Sequence, residues 1–232
     1  MKGGWLPLNS NWQTEIKAVF LKEWRTEMRS LSGILTSLLF SVVTVYAIGF
    51  AALSTKLHGT VIAGMLWVAL LFSASSSLTR SFLVEEEQGT ADLLRLVARP
   101  HAVFWGKALF NIFQNLVTSV ILSVLYLGFT AATVTMPWLF VVSLVAGCLS
   151  LTGAVTLCGA IAAQAANRSM LSAAISVPLL LPLVALGVSG MRISLGDGSW
   201  ASGGMASVVG LIGYATATLA TGPYIFAAVW KS

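Results

Sequence analysis

Long apolar segments alternate with short charged ones along most of this chain. No charged residue occurs between Arg29 and Lys56, or between Lys56 and Arg80. Three further uncharged runs follow, at 108–167, 169–191 and 198–230. A membrane-spanning helix needs about 20 mostly apolar residues, and a central charge costs about 2.5–3.5 kcal/mol on insertion scales. The pattern therefore predicts spanning helices.

The number of spans follows from the lengths of these runs. The run at 108–167 is too long for one span and divides at Thr135–Trp138, a turn-like break that contains Pro137. Residues 30–232 are therefore predicted to form an all-α membrane domain with six spans, at 32–54, 59–79, 107–131, 138–164, 169–190 and 205–229. The first run exceeds the about 7–15 apolar residues of a signal peptide, which indicates a retained span.

Residues 12–29 have the pattern of an amphipathic helix. The main apolar positions fall on one side and are Trp12, Ile16, Phe20 and Trp24. Charged residues occupy much of the remaining surface, which predicts a helix lying in the membrane interface. The alternative is a plain orienting flank before the first span. Residues 1–11 contain Pro7 and lack periodicity, which predicts a flexible N-terminus.

Composition and charge agree with a membrane protein. Hydrophobic residues make up 57% of the chain and charged residues 9%, whereas ordinary soluble domains are about 25% charged. With six spans, eleven of the 13 basic residues fall on the side of the termini. Basic loops stay in the cytoplasm, so both termini and the loop 80–106 are predicted to be cytoplasmic in a multi-pass plasma (inner) membrane protein. The net charge of +5 then reflects orientation, with no nucleic-acid partner.

The loop 80–106 holds four of the eight acidic residues. After the turn at Gly89, Thr90 is a good N-cap, and Asp92 and Arg95 suit the ends of a short helix that Pro100 terminates. So short a helix is marginal in water and must pack on something. Because three adjacent carboxylates would be repelled by anionic lipid, a protein partner is favoured over the bilayer. The alternative is a solvated charged loop.

We therefore predict a partner-docking surface in this loop, with a defined set of contact residues. They are Glu85, Glu86, Glu87, Gly89, Thr90, Asp92, Leu93, Leu94 and Arg95.

Sequence motifs for catalysis are absent. The chain has no GxxxxGK[ST] phosphate-binding loop, no HExxH and no Cys-x-x-Cys. His58 and His101 are predicted on opposite sides of the membrane, so they could not form one site. The sequence thus predicts a non-enzyme, with no catalytic residues, no metal site and no directly bound cofactor.

The segment Gly64–Asn111 resembles the CcmB family, the membrane subunits of an ABC-type complex in cytochrome c maturation. The matching positions are Phe82, Glu85, Gly89, Leu94, Pro100 and Lys107, together with Arg168 and Ser176–Val184. The resemblance implies a fold like that of type-2 ABC exporters, with the docking loop as a coupling helix. It implies two ATPase subunits that bind ATP, a second copy of the chain, a haem-handling membrane partner and a haem chaperone. Haem would be the cargo of the complex.

Other functions share these features. A type-2 ABC permease that exports a drug, lipid or glycan precursor would have the same layout. A non-transporting membrane scaffold could use the same loop to hold a cytoplasmic protein. A channel or secondary carrier is less favoured, because the predicted spans lack the acidic and basic residues of a proton or ion pathway.

The predicted docking surface is testable at Asp92. We expect Asp92→Arg to weaken co-purification of an ATPase partner, because a cation would replace a carboxylate in the contact. The spans should remain folded, as judged by size-exclusion elution in detergent. Unchanged co-purification would remove Asp92 from the docking surface.

Overall fold

The computed structural model describes residues 11–52, 58–78, 89, 94, 96, 98–163 and 168–230, which contain helices and turns and no strand. The helices are α1 (Trp12–Ser30), α2 (Ser32–Ala52), α3 (Gly59–Leu78), α4 (Pro100–Thr130), α5 (Pro137–Ala163), α6 (Arg168–Ser194) and α7 (Met205–Trp230). A short π-helical turn, Trp200–Gly204, precedes α7. The predicted all-α class is confirmed.

Each predicted span corresponds to one of the helices α2–α7. Among the residues that the structure describes, four helices, α4–α7, contain stretches long and apolar enough to cross a membrane. The described apolar segments of α2 and α3 are Leu38–Phe50 and Gly59–Ser75. The protein is therefore a multi-pass membrane protein.

The largest difference between a helix boundary and a predicted span is at the start of the third span. We expected the third span to begin at 107, where the apolar run starts after a lysine, but α4 begins at Pro100. Arg99 is extended and Pro100 occupies the first turn, where its missing N–H costs no hydrogen bond. The helix includes Lys107 because that side chain is buried against a carboxylate.

Helix α5 lies at the centre and packs against α3, α4, α6 and α7, whereas α1 packs mainly on α4. Successive helices from α2 to α7 run in opposite directions. One end of the bundle, here called the α1 end, therefore holds α1, the start of α4 and the end of α7. The opposite end, the far end, holds residue 58 and the turns at 131–136 and 195–204.

Trp67 joins three helices in the middle of the bundle. Its side chain is 1% exposed and lies between Gly147 of α5 and Gly187 of α6. A Cβ on Gly187 would lie 2.0 Å from Trp67 Cζ2, and one on Gly147 2.6 Å from Cη2. The two glycines thus let the indole of α3 reach the backbones of α5 and α6.

The far end is ordered by Asp197. Its carboxylate accepts hydrogen bonds from the Thr60 backbone N–H (2.5 Å) and the Thr60 hydroxyl (2.9 Å), in the first turn of α3. These bonds lower the pKa of Asp197. The Arg192 guanidinium donates to the Asp197 carbonyl oxygen at 3.2 Å. The turn after α6 therefore caps α3.

The packing around Trp67 predicts a steric effect of substitution. Gly187→Ala should lower the free energy of unfolding by about 1–3 kcal/mol or more, because the methyl group overlaps the indole. Equilibrium unfolding in mixed micelles measures this change. Gly64→Ala is the matched control, since a Cβ at that helical position meets no atom within 4 Å. Equal stabilities of the two variants would contradict the packing role of Trp67, and Trp67→Leu should relieve much of the effect in the Gly187→Ala background.

Candidate functional site

Two acidic side chains of α1 face α4 and pair with two bases. The Glu23 carboxylate lies 2.8 Å from Lys107 Nζ, and the lysine side chain is 0% exposed. The second pair lies just before the start of α4. There, Glu15 Oε1 lies 3.6 Å from Arg99 Nε, and Glu15 Oε2 accepts a hydrogen bond from the Arg99 backbone N–H at 3.4 Å. Glu15 is itself buried, at 6% exposure. These two ion pairs, here called the clasp, fasten α1 to the start of α4.

The clasp also fixes the direction and register of α1. Both pairs join residues 84 positions apart in the sequence. Eight residues along α1 therefore match eight residues along α4, so the two helices run in the same direction. Val19 lies between the two acids and is 5% exposed against Gly106, whose hypothetical Cβ would lie 2.6 Å from Val19 Cβ. Glycine at 106 permits this close approach.

Aromatic contacts extend the pairing beyond the clasp. Phe20 meets Phe110 edge to face, with ring centroids 6.1 Å apart. Further along both helices, the centroids of Trp24 and Phe113 are 5.3 Å apart. Each such pair adds about 0.5–1.5 kcal/mol beyond area burial.

The predicted interface residues therefore divide between α4 and the surface. Ile16, Phe20 and Trp24 are half-buried, whereas Trp12 is 58% exposed. The amphipathic helix over 12–29 is present as α1, although one predicted charged position, Glu15, faces inward to the clasp. Its position in the membrane interface stays a prediction.

Most of the predicted docking residues lie outside the described residues. They are Glu85, Glu86, Glu87, Thr90, Asp92, Leu93 and Arg95. Gly89 is exposed in a turn with φ +65°, a conformation that favours glycine. Leu94 and Leu96 have helical backbones and differ sharply in exposure: Leu94 is half-buried, whereas Leu96 is 84% exposed.

Leu94 connects this loop to the helices. Together with Ala98 it packs against a buried cluster of Val19, Val103, Phe104, Ala108 and Phe226. Phe104 is central, because its ring lies 5.9 Å from that of Phe226 and would be 2.3 Å from a Cβ on Gly222. The cluster, here called the junction, thus joins the loop, α1, α4 and the end of α7.

A line of polar side chains continues from the clasp into the bundle. Asn111 donates to the Thr156 hydroxyl at 3.1 Å, and one turn on, Asn115 donates to Thr152 at 3.1 Å. A further turn on, Cys148 Sγ lies 3.1 Å from Ser119 Oγ. Each step of four along α4 is matched by a step of four back along α5. We call these six residues the polar seam.

Neither the clasp nor the polar seam is predicted by the sequence pattern. The signal was available as spacing: Glu15, Val19 and Glu23 recur every four residues, as do Asn111, Asn115 and Ser119. Such spacing places each set on one helix face. It does not indicate which helix that face meets, so the partners could not be assigned.

The contacts at the α1 end are packing contacts and charge pairs. His58 precedes α3 at the far end, while His101 lies in the first turn of α4 with its ring 5.6 Å from that of Tyr224. Within the described ranges, no group of three or more His, Cys, Asp or Glu side chains could hold a metal ion. Both cysteines are buried and free.

Comparison with known proteins identifies a family relationship. Residues 14–232, nearly the whole chain, match the family model described as CcmB protein. No curated protein matches the sequence. The match includes α1, the loop, the clasp and the polar seam.

Two lysines contact the Glu23 carboxylate, and the clasp predicts that they contribute very differently to the free energy of unfolding. Lys107→Met should lower the free energy of unfolding by roughly 2–4 kcal/mol, because Glu23, at 12% exposure, loses its buried partner. Lys22 Nζ lies 3.4 Å from the same Glu23 oxygen but is 45% exposed. Lys22→Met should therefore cost less than about 1 kcal/mol.

Equilibrium unfolding in mixed micelles distinguishes the two variants. The double variant Glu23→Gln/Lys107→Met should recover much of the loss, because no unpaired charge stays buried. Similar losses for Lys107→Met and Lys22→Met would refute the clasp as a structural element.

Proposed function

Since the chain belongs to the CcmB family, we propose that it transmits ATP hydrolysis in a partner ATPase to haem delivery, by driving release of a haem-loaded chaperone. Family membership makes the chain a membrane component of the cytochrome c maturation ABC transporter, which has an ATPase partner. The proposed assembly has two copies of the chain, two ATPase subunits, a haem-handling membrane partner and the chaperone. Each copy would span the inner membrane six times, with both termini in the cytoplasm.

The observation that supports mechanical coupling is the junction. Leu94 and Ala98 pack on the cluster around Phe104, which also includes Val19 of α1 and Phe226 of α7. A force applied to the loop by a docked ATPase would therefore reach three helices together. The clasp adds a second connection, because Arg99, the loop residue just before α4, binds Glu15.

Transmission into the bundle would follow the polar seam. In membrane proteins, hydrogen bonds between helices contribute about 0.6 kcal/mol on average, with a maximum near 1.7. Bonds of this strength hold α4 against α5 without preventing a small shift of one helix along the other. We propose that the seam is where α4 changes register or tilt relative to α5 during the ATPase cycle.

Haem is proposed as cargo of the whole complex rather than as a ligand within this chain. Haem iron is held by axial protein ligands, among which histidine is common, and the two histidines of this chain, His58 and His101, lie at opposite ends of the bundle. This arrangement supports the assignment of haem binding to the membrane partner and the chaperone. The ATPase-driven step would then change the contacts between the subunits.

The exposed Leu96 provides a test of docking. We expect Leu96→Arg to reduce the amount of ATPase that co-purifies in mild detergent, because an 84% exposed leucine next to the junction suits an apolar contact with a partner. The control is Ala201→Arg, the same charge placed on an exposed residue at the far end. Quantitative mass spectrometry of the tagged protein's partners measures both effects.

The set of recovered partners also tests the proposed function. The ATPase together with haem-handling membrane proteins supports the maturation complex. An ATPase alone favours an exporter of another cargo, and no ATPase with correctly folded wild type favours the scaffold. Equal ATPase recovery with Leu96→Arg and Ala201→Arg would contradict docking at this loop.

A further inference from the structure

An apolar groove runs along the outer side of the contact between α1 and α4. It has a volume of about 530 Å³ and is lined by Ile16, Lys17, Phe20, Leu21, Leu109 and Phe113. Leu21, Leu109 and Phe113 are each 42–48% exposed, so the groove opens to the surroundings of the bundle. Lys17 supplies its charged group.

The charges of α1 make this groove selective for an anion. The clasp turns Glu15 and Glu23 toward α4, where Arg99 and Lys107 neutralise them. Lys17 is exposed, and among the described residues no hydrogen bond or ion pair engages its ammonium group. The groove therefore has the exposed ammonium group of Lys17 next to an apolar surface. Neither Glu15 nor Glu23 lines it.

The groove runs along the first turns of the predicted third span. A Cβ on Gly106 would contact Val19 and the Ile16 carbonyl oxygen, so the part of α1 that includes Lys17 is level with Gly106. Phe113 lies seven residues further along α4, a distance of about 10 Å. Half of a hydrocarbon core of about 30 Å is about 15 Å. The groove would therefore hold the part of an acyl chain nearest to a headgroup at Lys17.

We propose that the groove is a binding site for one anionic phospholipid, with an acyl chain along Phe20, Leu109 and Phe113 and the phosphate at Lys17. The aromatic and aliphatic lining suits a hydrocarbon chain. A headgroup phosphate matches a lysine that reaches outward from apolar surface. The lipid would contact both α1 and α4 beside the clasp. The inference rests on the membrane location of the protein and not on its coupling to an ATPase.

Native mass spectrometry of the full chain tests this site. The protein is delipidated in mild detergent and then supplied with dioleoyl phosphatidylglycerol or dioleoyl phosphatidylcholine at equal concentrations. We expect one tightly retained phosphatidylglycerol and weaker retention of phosphatidylcholine. Lys17→Gln should lower the phosphatidylglycerol affinity about fivefold, as expected for one lysine near anionic lipid.

Two further variants separate the groove from general electrostatic attraction. Arg25→Gln removes the same charge from an exposed position of α1 that does not line the groove, and should retain the lipid as wild type does. Leu109→Trp keeps the surface apolar but fills the groove, and should release the phospholipid even if Lys17→Gln proves unstable. Circular dichroism of each variant checks that the helices persist.

Several outcomes would overturn the proposal. Equal retention of the two lipids, or equal losses with Lys17→Gln and Arg25→Gln, would leave only non-specific attraction. Unchanged retention in Leu109→Trp would locate the lipid elsewhere. A delipidated dimer that dissociates in Leu109→Trp would assign the groove to a second copy of the chain.

Discussion

The ion pair between Lys107 and Glu23 is the contact on which the arrangement at the α1 end depends. A lysine at 0% exposure inside an apolar bundle is tolerated only when an anion compensates its charge, since the effective desolvation cost is several kcal/mol. Glu23 provides that anion, and Glu15 repeats the arrangement with Arg99 eight residues earlier. Two pairs at the same spacing fix the direction in which α1 runs along α4. Glycine at position 106 then allows Val19 to approach α4 closely.

The rest of the bundle is held by different means at different depths. Near the middle, Trp67 fits against the two glycines of α5 and α6, and this contact depends on shape alone. Between α4 and α5, the polar seam holds the helices through hydrogen bonds that are individually weak. At the far end, Asp197 caps α3. Weak polar contacts between α4 and α5 are compatible with the proposed shift of α4 relative to α5.

Family membership and local geometry support the proposed function in different ways. The family gives the complex in which the chain acts, and the structure gives a physical route from the loop into the helices. The junction is central to this route, because it brings Leu94 into contact with residues of α1, α4 and α7. A lipid beside α1 would add a support outside the protein, so that bilayer composition could influence how firmly the clasp holds.

The sequence by itself determined the helical class and the presence of helices long and apolar enough to cross a membrane. These features follow from the lengths of uncharged runs and from helical spacing, which are local properties of a chain. The start of α4 at Pro100, the inward orientation of Glu15 and Glu23, and the partners of Asn111 and Asn115 were decided only by the tertiary structure. Spacing shows which residues share a helix face, but the energy of a buried charge or amide depends on the helix that this face meets. That helix can lie 84 residues away in the sequence, as it does for both pairs of the clasp.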